Sequence, residues 1–506
     1  MPATYGPRFW PNPRRSITLT GDRSVRVRAR GRVARPRARI HRCAPGPGTG
    51  ILKNSQIMPE GIMPEQTDNW QEGLKPRLVD EIEYIIDAFR CASDGRIRIK
   101  PARGDHRIDY LYAEGQILVR DEYLGQVLGI LEPETDQDEV RTTPGRLRRV
   151  IAGVTLLTLA GERFPTVLEA LEEIDRLLGR GIATPDHVLT VAGEGIPCPA
   201  TEPQEAYDEI EPYPSVCPDG GGGVLIYMDD TGLLTDAATH SWLAGVDAGN
   251  VDPGNGQEPI PPYTGHGTFV AGVLRCMAPA ADVIVTNVFD VAGSRLESDW
   301  IPRLEAALGL GADIFHLTVS THTRHDHPLI TFQKWLSHLR EYGGVICVVA
   351  AGNDSSRRPS WPAAFSEVVS VGALARDWRS RASFSNFGGW VDVYAPGRDL
   401  INAYATGTYV CQFAPYAGKE RHFYGMAKWS GTSFSTPIVT GLIAARMSRT
   451  GENGRQAAAA LLAEARRAAI PGVGPILLPS CGGQDACGKR AECGCGCGGQ
   501  PRCRDC

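Results

Sequence analysis

No run of about 18 consecutive apolar residues occurs in the 506-residue chain, so no membrane-spanning helix is expected. No secretory leader is expected either. It would need a basic stretch, about 7–15 apolar residues and a small-residue cleavage site. Arg14 and Arg15 are followed instead by Ser-Ile-Thr-Leu-Thr-Gly-Asp, which is too polar and too short. The expected location is therefore cytoplasmic, with export by another route left open. The seven cysteines scattered through residues 43–411 have no paired metal-ligand spacing, and reduced thiols are the default expectation for them. The body of the chain also lacks basic charge. Residues 1–50 hold twelve Arg against the single acid Asp22, leaving 41 bases against 57 acids elsewhere. A nucleic-acid enzyme keeps its basic surface on the folded body, so a nucleic-acid partner is disfavoured. With 42% hydrophobic and 22% charged residues, general disorder is excluded.

What is present divides into five stretches. Residues 1–75 are an Arg-rich extension, expected to be disordered, and Met58 and Met63 lie near its end as alternative starts. Residues 76–200 read as a small α+β unit. Its first helix, over Pro76–Cys91, carries Leu78, Ile82, Ile85, Ile86 and Phe89 at helical spacing. Strand-like runs cover Arg107–Tyr112, Gln116–Arg120 and Arg149–Ala160, an amphipathic helix covers Phe164–Leu178, and a last strand covers His187–Ala192. Residues 201–223, dense in Pro and Glu and closing on Gly220–Gly223, read as a linker. Residues 224–470 then alternate strands (Val224–Met228, Ala281–Val288, Asp313–Val319, Val345–Ala350) with helices (Asp299–Gly309, Leu329–Tyr342, Gln456–Ala469). That order predicts an α/β domain with a mostly parallel sheet and helices on both faces. Residues 471–506 form a Gly/Cys-rich tail with seven cysteines, an odd number, of which only Cys503 and Cys506 have zinc-like spacing. A soft-metal site and a flexible tail without one both stay open.

Three motifs carry chemistry. Tyr227-Met-Asp-Asp-Thr-Gly-Leu puts an acid at the C-terminal end of a buried strand, the edge where parallel sheets build sites. Gly265-His-Gly-Thr-Phe-Val-Ala-Gly gives an imidazole room between two glycines. Ser430-Gly-Thr-Ser-Phe-Ser-Thr-Pro places Ser433 at the start of a helix, where unsatisfied N–H groups favour developing negative charge. A fourth element, Ala351-Gly-Asn-Asp, ends a central strand with a side-chain amide. A serine hydroxyl needs a base, the base an orienting acid, and the oxyanion donors. All four roles have an occupant.

The Asp…His…Ser order with these flanking residues resembles the subtilisin-like serine proteases, over about residues 224–448. Met277-Ala-Pro-Ala, Trp361–Phe365, Val371–Ala373, Ser383–Ser385 and Ala395–Gly397 are similar to that family's framework. The resemblance implies a subtilisin-like fold and a serine endopeptidase acting on protein or peptide substrates. Asp230, His266 and Ser433 would be catalytic, Asn353 would stabilise the oxyanion, and Leu317, Thr318, Val319 and Ser320 would bind substrate. The Asp-Thr-Gly match selects Asp230 over Asp229. No cofactor is required for such chemistry. Calcium is common in the family, but no local acidic cluster here has a convincing coordination pattern, and the metal content stays unknown. Residues 76–200 stand where the family carries an inhibitory propeptide; a permanent accessory domain is the rival. A catalytically silent binding protein is the alternative for the whole chain. The aromatic-rich stretch between Ala403 and Ser430 reads as a packed surface excursion or a flap over the cleft.

Overall fold

The computed structural model describes residues 82–89, 96–102, 108–160, 163–191, 200–207, 211–217, 220–289 and 293–479. The Arg-rich extension and the cysteines of the tail lie outside them. The core is a seven-stranded sheet in which every neighbouring pair is parallel. Its order is Val393–Pro396, Val369–Leu374, Ile346–Ala350, Ile314–Leu317, Leu225–Asp230, Asp282–Asn287 and Asp247–Ala248. Strand residues alternate between faces. Ile226, Met228, Ile314 and Val348 pack beneath helices His266–Met277 and Thr432–Thr450, with Phe269, Leu274, Phe434 and Ile438. Tyr227, Phe315, Leu317 and Val349 pack on the other face, against Trp300, Phe332 and Trp335 of helices Glu297–Ala307 and Ile330–Leu339. The expected α/β architecture is the one observed.

The N-terminal unit is an antiparallel sheet with the helix Val167–Leu178 packed on it. Thr166 and Glu169 close a reciprocal capping box at that helix, and Val167, Ala170, Leu171 and Ile174 face Ile117, Val119 and Leu157. The two short strands read from the sequence are one, Ile108–Arg120, whose register shifts between Ala113 and Ile117 around Gly115. The last strand starts earlier than expected, at Ala183–Thr190. Its outer edge is not free: Ser294–Leu296 pairs with it antiparallel, Ser294 opposite Thr190 and Leu296 opposite Val188. One sheet therefore runs through both units.

Two boundaries need correction. The segment read as a linker over 201–223 packs against the C-terminal domain instead. Gln204–Glu205 adds a strand to the hairpin Leu400–Val410/Glu420–Trp429. Glu202, buried, accepts from the Tyr409 hydroxyl (2.8 Å) and the Gln412 N–H (2.7 Å). Cys217 is buried and disulfide-bonded, where reduced thiols were expected; Cys276, Cys347 and Cys411 are free. Pro and Glu content indicated exposure, yet a buried carboxyl with two donors is a satisfied one. The domain also continues past residue 470. Tyr394 N–H donates to Pro475 and accepts Leu477 N–H at its carbonyl, at 2.9 Å each. The aromatic excursion is a hairpin whose Tyr404, Tyr409 and Phe423 face the core and whose Tyr416 and Tyr424 face solvent.

Charged groups close the seam between the two units. Asp186 of the N-terminal sheet accepts from Ser298 N–H (2.9 Å) and Ser298 Oγ (2.7 Å), capping the helix Glu297–Ala307 from outside its own chain segment. His187 Nδ1 lies 3.4 Å from Glu297 Oε2, and Arg148 reaches Ser298 Oγ and Asp299 Oδ1 at 2.8 and 3.0 Å. Burial pushes the Asp186 carboxyl up to about 7; the Ser298 bonds pull it down, and nearby Glu297 and Asp299 push it further up. A carboxyl raised in the docked state favours docking while protonated. That contribution is full below about pH 4 and is lost as pH rises through about 7. Thermal melts of the full chain and of Asp186→Asn are thus expected to coincide near pH 4. Toward pH 8 the wild type should fall progressively below the variant. A difference that stays constant with pH would show that Asp186 ionises no differently in the seam than in the unfolded chain.

Candidate functional site

The central strand Leu225–Asp230 delivers two adjacent acids to opposite faces. Asp230 Oδ1 lies 2.6 Å from Nδ1 of His266, and both side chains are fully buried. Asp230 also accepts from Thr231 N–H (2.7 Å) at Oδ1 and from the Thr318 hydroxyl (2.7 Å) at Oδ2. Burial alone would raise this carboxyl. The adjacent imidazole and these donors outweigh burial and hold it below the ordinary aspartate range. Asp229 is held differently. Its oxygens accept from Thr286 Oγ1 (2.8 Å) and Trp300 Nε1 (3.0 Å), and burial keeps its carboxyl above the usual value. Of the two acids, Asp230 is the one that meets the His266 ring.

His266 opens its helix because Gly265 takes a left-handed backbone (φ 79°) that a side chain would strain. Asp252, which sequence reasoning missed, fixes this turn. It accepts from Gly265 N–H (2.8 Å), Gly254 N–H (2.9 Å) and Thr231 Oγ1 (3.0 Å), while Thr231 Oγ1 itself accepts from Gly267 N–H (3.0 Å). The acid's own turn and the helix that carries the histidine are thereby stitched together. The one available signal was an Asp in a Val-Asp-Pro-Gly turn, which by itself reads as an ordinary loop.

Ser433 lies in the first turn of Thr432–Thr450, and the next residue, Phe434, packs on the His266 ring (centroids 5.2 Å apart), with Trp429 on it edge-on at 5.7 Å. Asn353 is held by its carbonyl oxygen, which accepts from Thr432 N–H (2.9 Å) and Thr432 Oγ1 (3.0 Å). Its Nδ2 is buried and unpartnered. An amide fixed at one end with its donor left over beside a serine is a poised anion donor.

The site is occupied by the chain itself. Thr190 and Ser320 exchange two main-chain bonds (3.0 and 2.8 Å), Val191 N–H donates to Gly293 (2.9 Å), and the Ser433 hydroxyl donates to the Val191 carbonyl at 3.3 Å. Thr321 Oγ1 adds a bond to the Val188 carbonyl (2.8 Å). The four residues expected to bind substrate divide accordingly. Ser320 meets the chain in the cleft. Leu317 and Val319 are core residues, and Thr318 orients Asp230. Strand parity explains this, because side chains at alternate positions cannot all face one groove. Gly293 and Ser294–Leu296 were missed altogether; three residues, Ser-Arg-Leu, carry no local strand signal.

Among the described residues no group of three or more His, Cys, Asp or Glu could hold a metal ion. The glycine after the histidine has a steric role. A Cβ on Gly267 would stand 2.3 Å from the Gly232 carbonyl oxygen and 3.2 Å from Asp230 Oδ1. Gly267→Ala should push the His266 helix off the Asp230 turn and destabilise the fold by about 1–3 kcal/mol. A melting temperature equal to wild type would contradict this close approach.

A family model described as the subtilase family matches residues 221–475. The thermophilic serine proteinase of Bacillus sp. (strain AK1) is 31% identical over 245 residues, covering 46% of this chain and 54% of that protein. Thermitase of Thermoactinomyces vulgaris is 28% identical over 249 residues, covering 47% of this chain and 80% of its own length. Against the first of these the chain spans about half the relative's length. Among solved structures, fervidolysin from Fervidobacterium pennivorans, a keratinolytic enzyme related to subtilisin, superposes with a TM-score of 0.50 at 18% identity, over 73% of this chain and 60% of that one, a likeness of fold. The match extends across every motif described above, and the chain belongs to the subtilase family.

Proposed function

We propose that the chain is a serine endopeptidase working through Ser433, His266 and Asp230. The observation that carries this reading is the Ser433 hydroxyl held against a peptide carbonyl, beside a fully buried His266–Asp230 pair. Ser433 Oγ attacks the scissile carbonyl carbon as His266 takes its proton; the imidazole later returns that proton to the leaving amine. Asp230 accepts from Nδ1, which fixes the tautomer, and stabilises the imidazolium that forms. Asn353 Nδ2 and the helix-terminal N–H of Ser433 receive the oxyanion. Every donor is in place before the reaction, so little reorganisation is required.

The N-terminal unit is read here as an intramolecular inhibitor. Its strand Ala183–Thr190 adds to Ser294–Leu296 on one side and to Ser320 on the other, as an extended substrate would. The processing cut then belongs next to Val191, rather than in the packed segment 201–223, where Gln204–Glu205 pairs with the hairpin.

Ser433→Ala should abolish peptide hydrolysis, and a serine-directed covalent inhibitor should label Ser433 alone. Asp230→Asn should lower kcat by about 10⁴, far more than Asp229→Asn. Retained activity in Ser433→Ala would refute the mechanism, and equal losses at 229 and 230 would refute the assignment of the acid. Intact-mass mapping should find a new terminus within a few residues of Val191 in wild type and none in Ser433→Ala. Full activity from an uncut chain would make the N-terminal unit a permanent accessory domain.

A further inference from the structure

Residues 82–89 form a helix that precedes the N-terminal sheet. Its apolar side, Ile82, Ile85 and Phe89, clusters with Ile97, Leu111 and Val188. Val188 belongs to the strand held along the cleft, and Leu296, its pairing partner from the C-terminal domain, borders the same cluster. The next strand residue, Leu189, faces the other way and clusters with Tyr263, Phe289 and Phe413. The strand thus lies between the C-terminal domain on one face and the helix 82–89 on the other. Tyr84, half-buried, crosses from that helix to the domain. Its ring stands 6.3 Å from the Tyr263 ring and 6.2 Å, edge-on, from the Phe413 ring, spacings at which aromatic pairs attract.

The two rings that receive Tyr84 come from separate segments that are tied together. Ile260 N–H donates to the Thr408 carbonyl (2.7 Å), and Thr408 N–H donates to Glu258 Oε1 (2.7 Å). One segment is the turn that leads into the histidine helix, where the Tyr263 carbonyl accepts His266 N–H at 3.1 Å. The other is the end of the aromatic hairpin, where Phe413 is buried. We infer that Tyr263 and Phe413 form a docking surface for an amphipathic helix bearing one aromatic ring, that its occupant is the helix 82–89 anchored by Tyr84, and that this clasp keeps the strand Ala183–Thr190 in the cleft after the chain is cut beside Val191. The inference rests on the reading of the N-terminal unit as an inhibitor. A cut there frees one end of the strand and leaves the helix closed over its outer face. The clasp also gives the aromatic stretch between Ala403 and Ser430 a role besides packing, because its turn carries Phe413.

The test follows two events in the full chain: the cut, by intact mass, and the opening of the cleft, by the onset of peptide hydrolysis. In wild type hydrolysis should lag behind the cut, and the two fragments should coelute in size exclusion. Tyr84→Ala should leave the position of the cut unchanged and shorten the lag by about tenfold, since losses of this kind act mainly on the dissociation rate. Tyr84→Phe, which keeps the ring, should behave as wild type. Equal lags in wild type and Tyr84→Ala would overturn the clasp and leave the endopeptidase standing. A second measurement needs no processing. In the Ser433→Ala chain, adding Tyr84→Ala should quicken hydrogen exchange over 82–89 by about tenfold and leave the helix Val167–Leu178 protected. Unchanged exchange over 82–89 would overturn the anchor, and equal quickening in both helices would make Tyr84 a general folding residue and overturn it too. A wild-type chain that neither cuts itself nor hydrolyses any peptide overturns the inhibitor reading, and the clasp's role with it, whatever the exchange shows.

Discussion

Everything at this site follows from placing one charged carboxylate, Asp230, where water does not reach it. An ionised acid removed from solvent must be met by donors or it takes up a proton. Its donors come from three separate segments: the His266 ring at a helix start, the Thr231 N–H in its own turn, and the Thr318 hydroxyl just past the neighbouring strand. The parallel order of the sheet is what brings the ends of Leu225–Asp230 and Ile314–Leu317 level. Asp252 then locks the turn to the histidine helix. Acid and imidazole are thus fixed to one another by the segments that carry them.

The same frame accounts for how the chain lies in its own cleft. Two strand edges flank Thr190, at Ser294–Leu296 and at Ser320, and a sheet edge accepts an added strand through its main-chain groups. Ala183–Thr190 fills both. Main-chain pairing gives such a segment affinity without requiring particular side chains, and the specific part of the contact lies further back, where Asp186 caps a helix and Arg148 pairs with Asp299. Recognition of the unit and alignment of its peptide at Ser433 are therefore carried by different groups.

The motifs of the candidate site were legible in the sequence because each is a local requirement written in a few residues: a glycine with positive φ before His266, a serine in a helix's first turn, an amide at a strand end. The alternating strands and helices were legible for the same reason. What escaped was non-local. Ser294–Leu296 is a strand only because Val188–Thr190 lies beside it. Glu202 looked like linker composition until Tyr409 and Gln412 supplied its partners, more than 200 positions away. Leu317 to Ser320 read as one binding segment, yet pleating sends alternate members into the core. Composition reports average exposure, and it cannot report a partner supplied by a distant strand.

Asp229 and Asp230 make the point within a single dipeptide. Both are fully buried, at consecutive positions of one strand, and burial pushes both carboxyls upward. They part because successive side chains face opposite sides of the sheet. On one side Asp230 meets the His266 imidazole at 2.6 Å. On the other Asp229 meets Thr286, Trp300 and the Tyr227 ring, all neutral. Neutral donors soften the loss of water without reversing it, whereas a cation reverses it. The two acids also sit close enough to repel, so holding Asp229 toward its neutral form protects the charge on Asp230. A pair of acids that composition counts as two identical charges is thus divided by strand parity into one buried hydrogen-bonding group and one carboxylate paired with an imidazole.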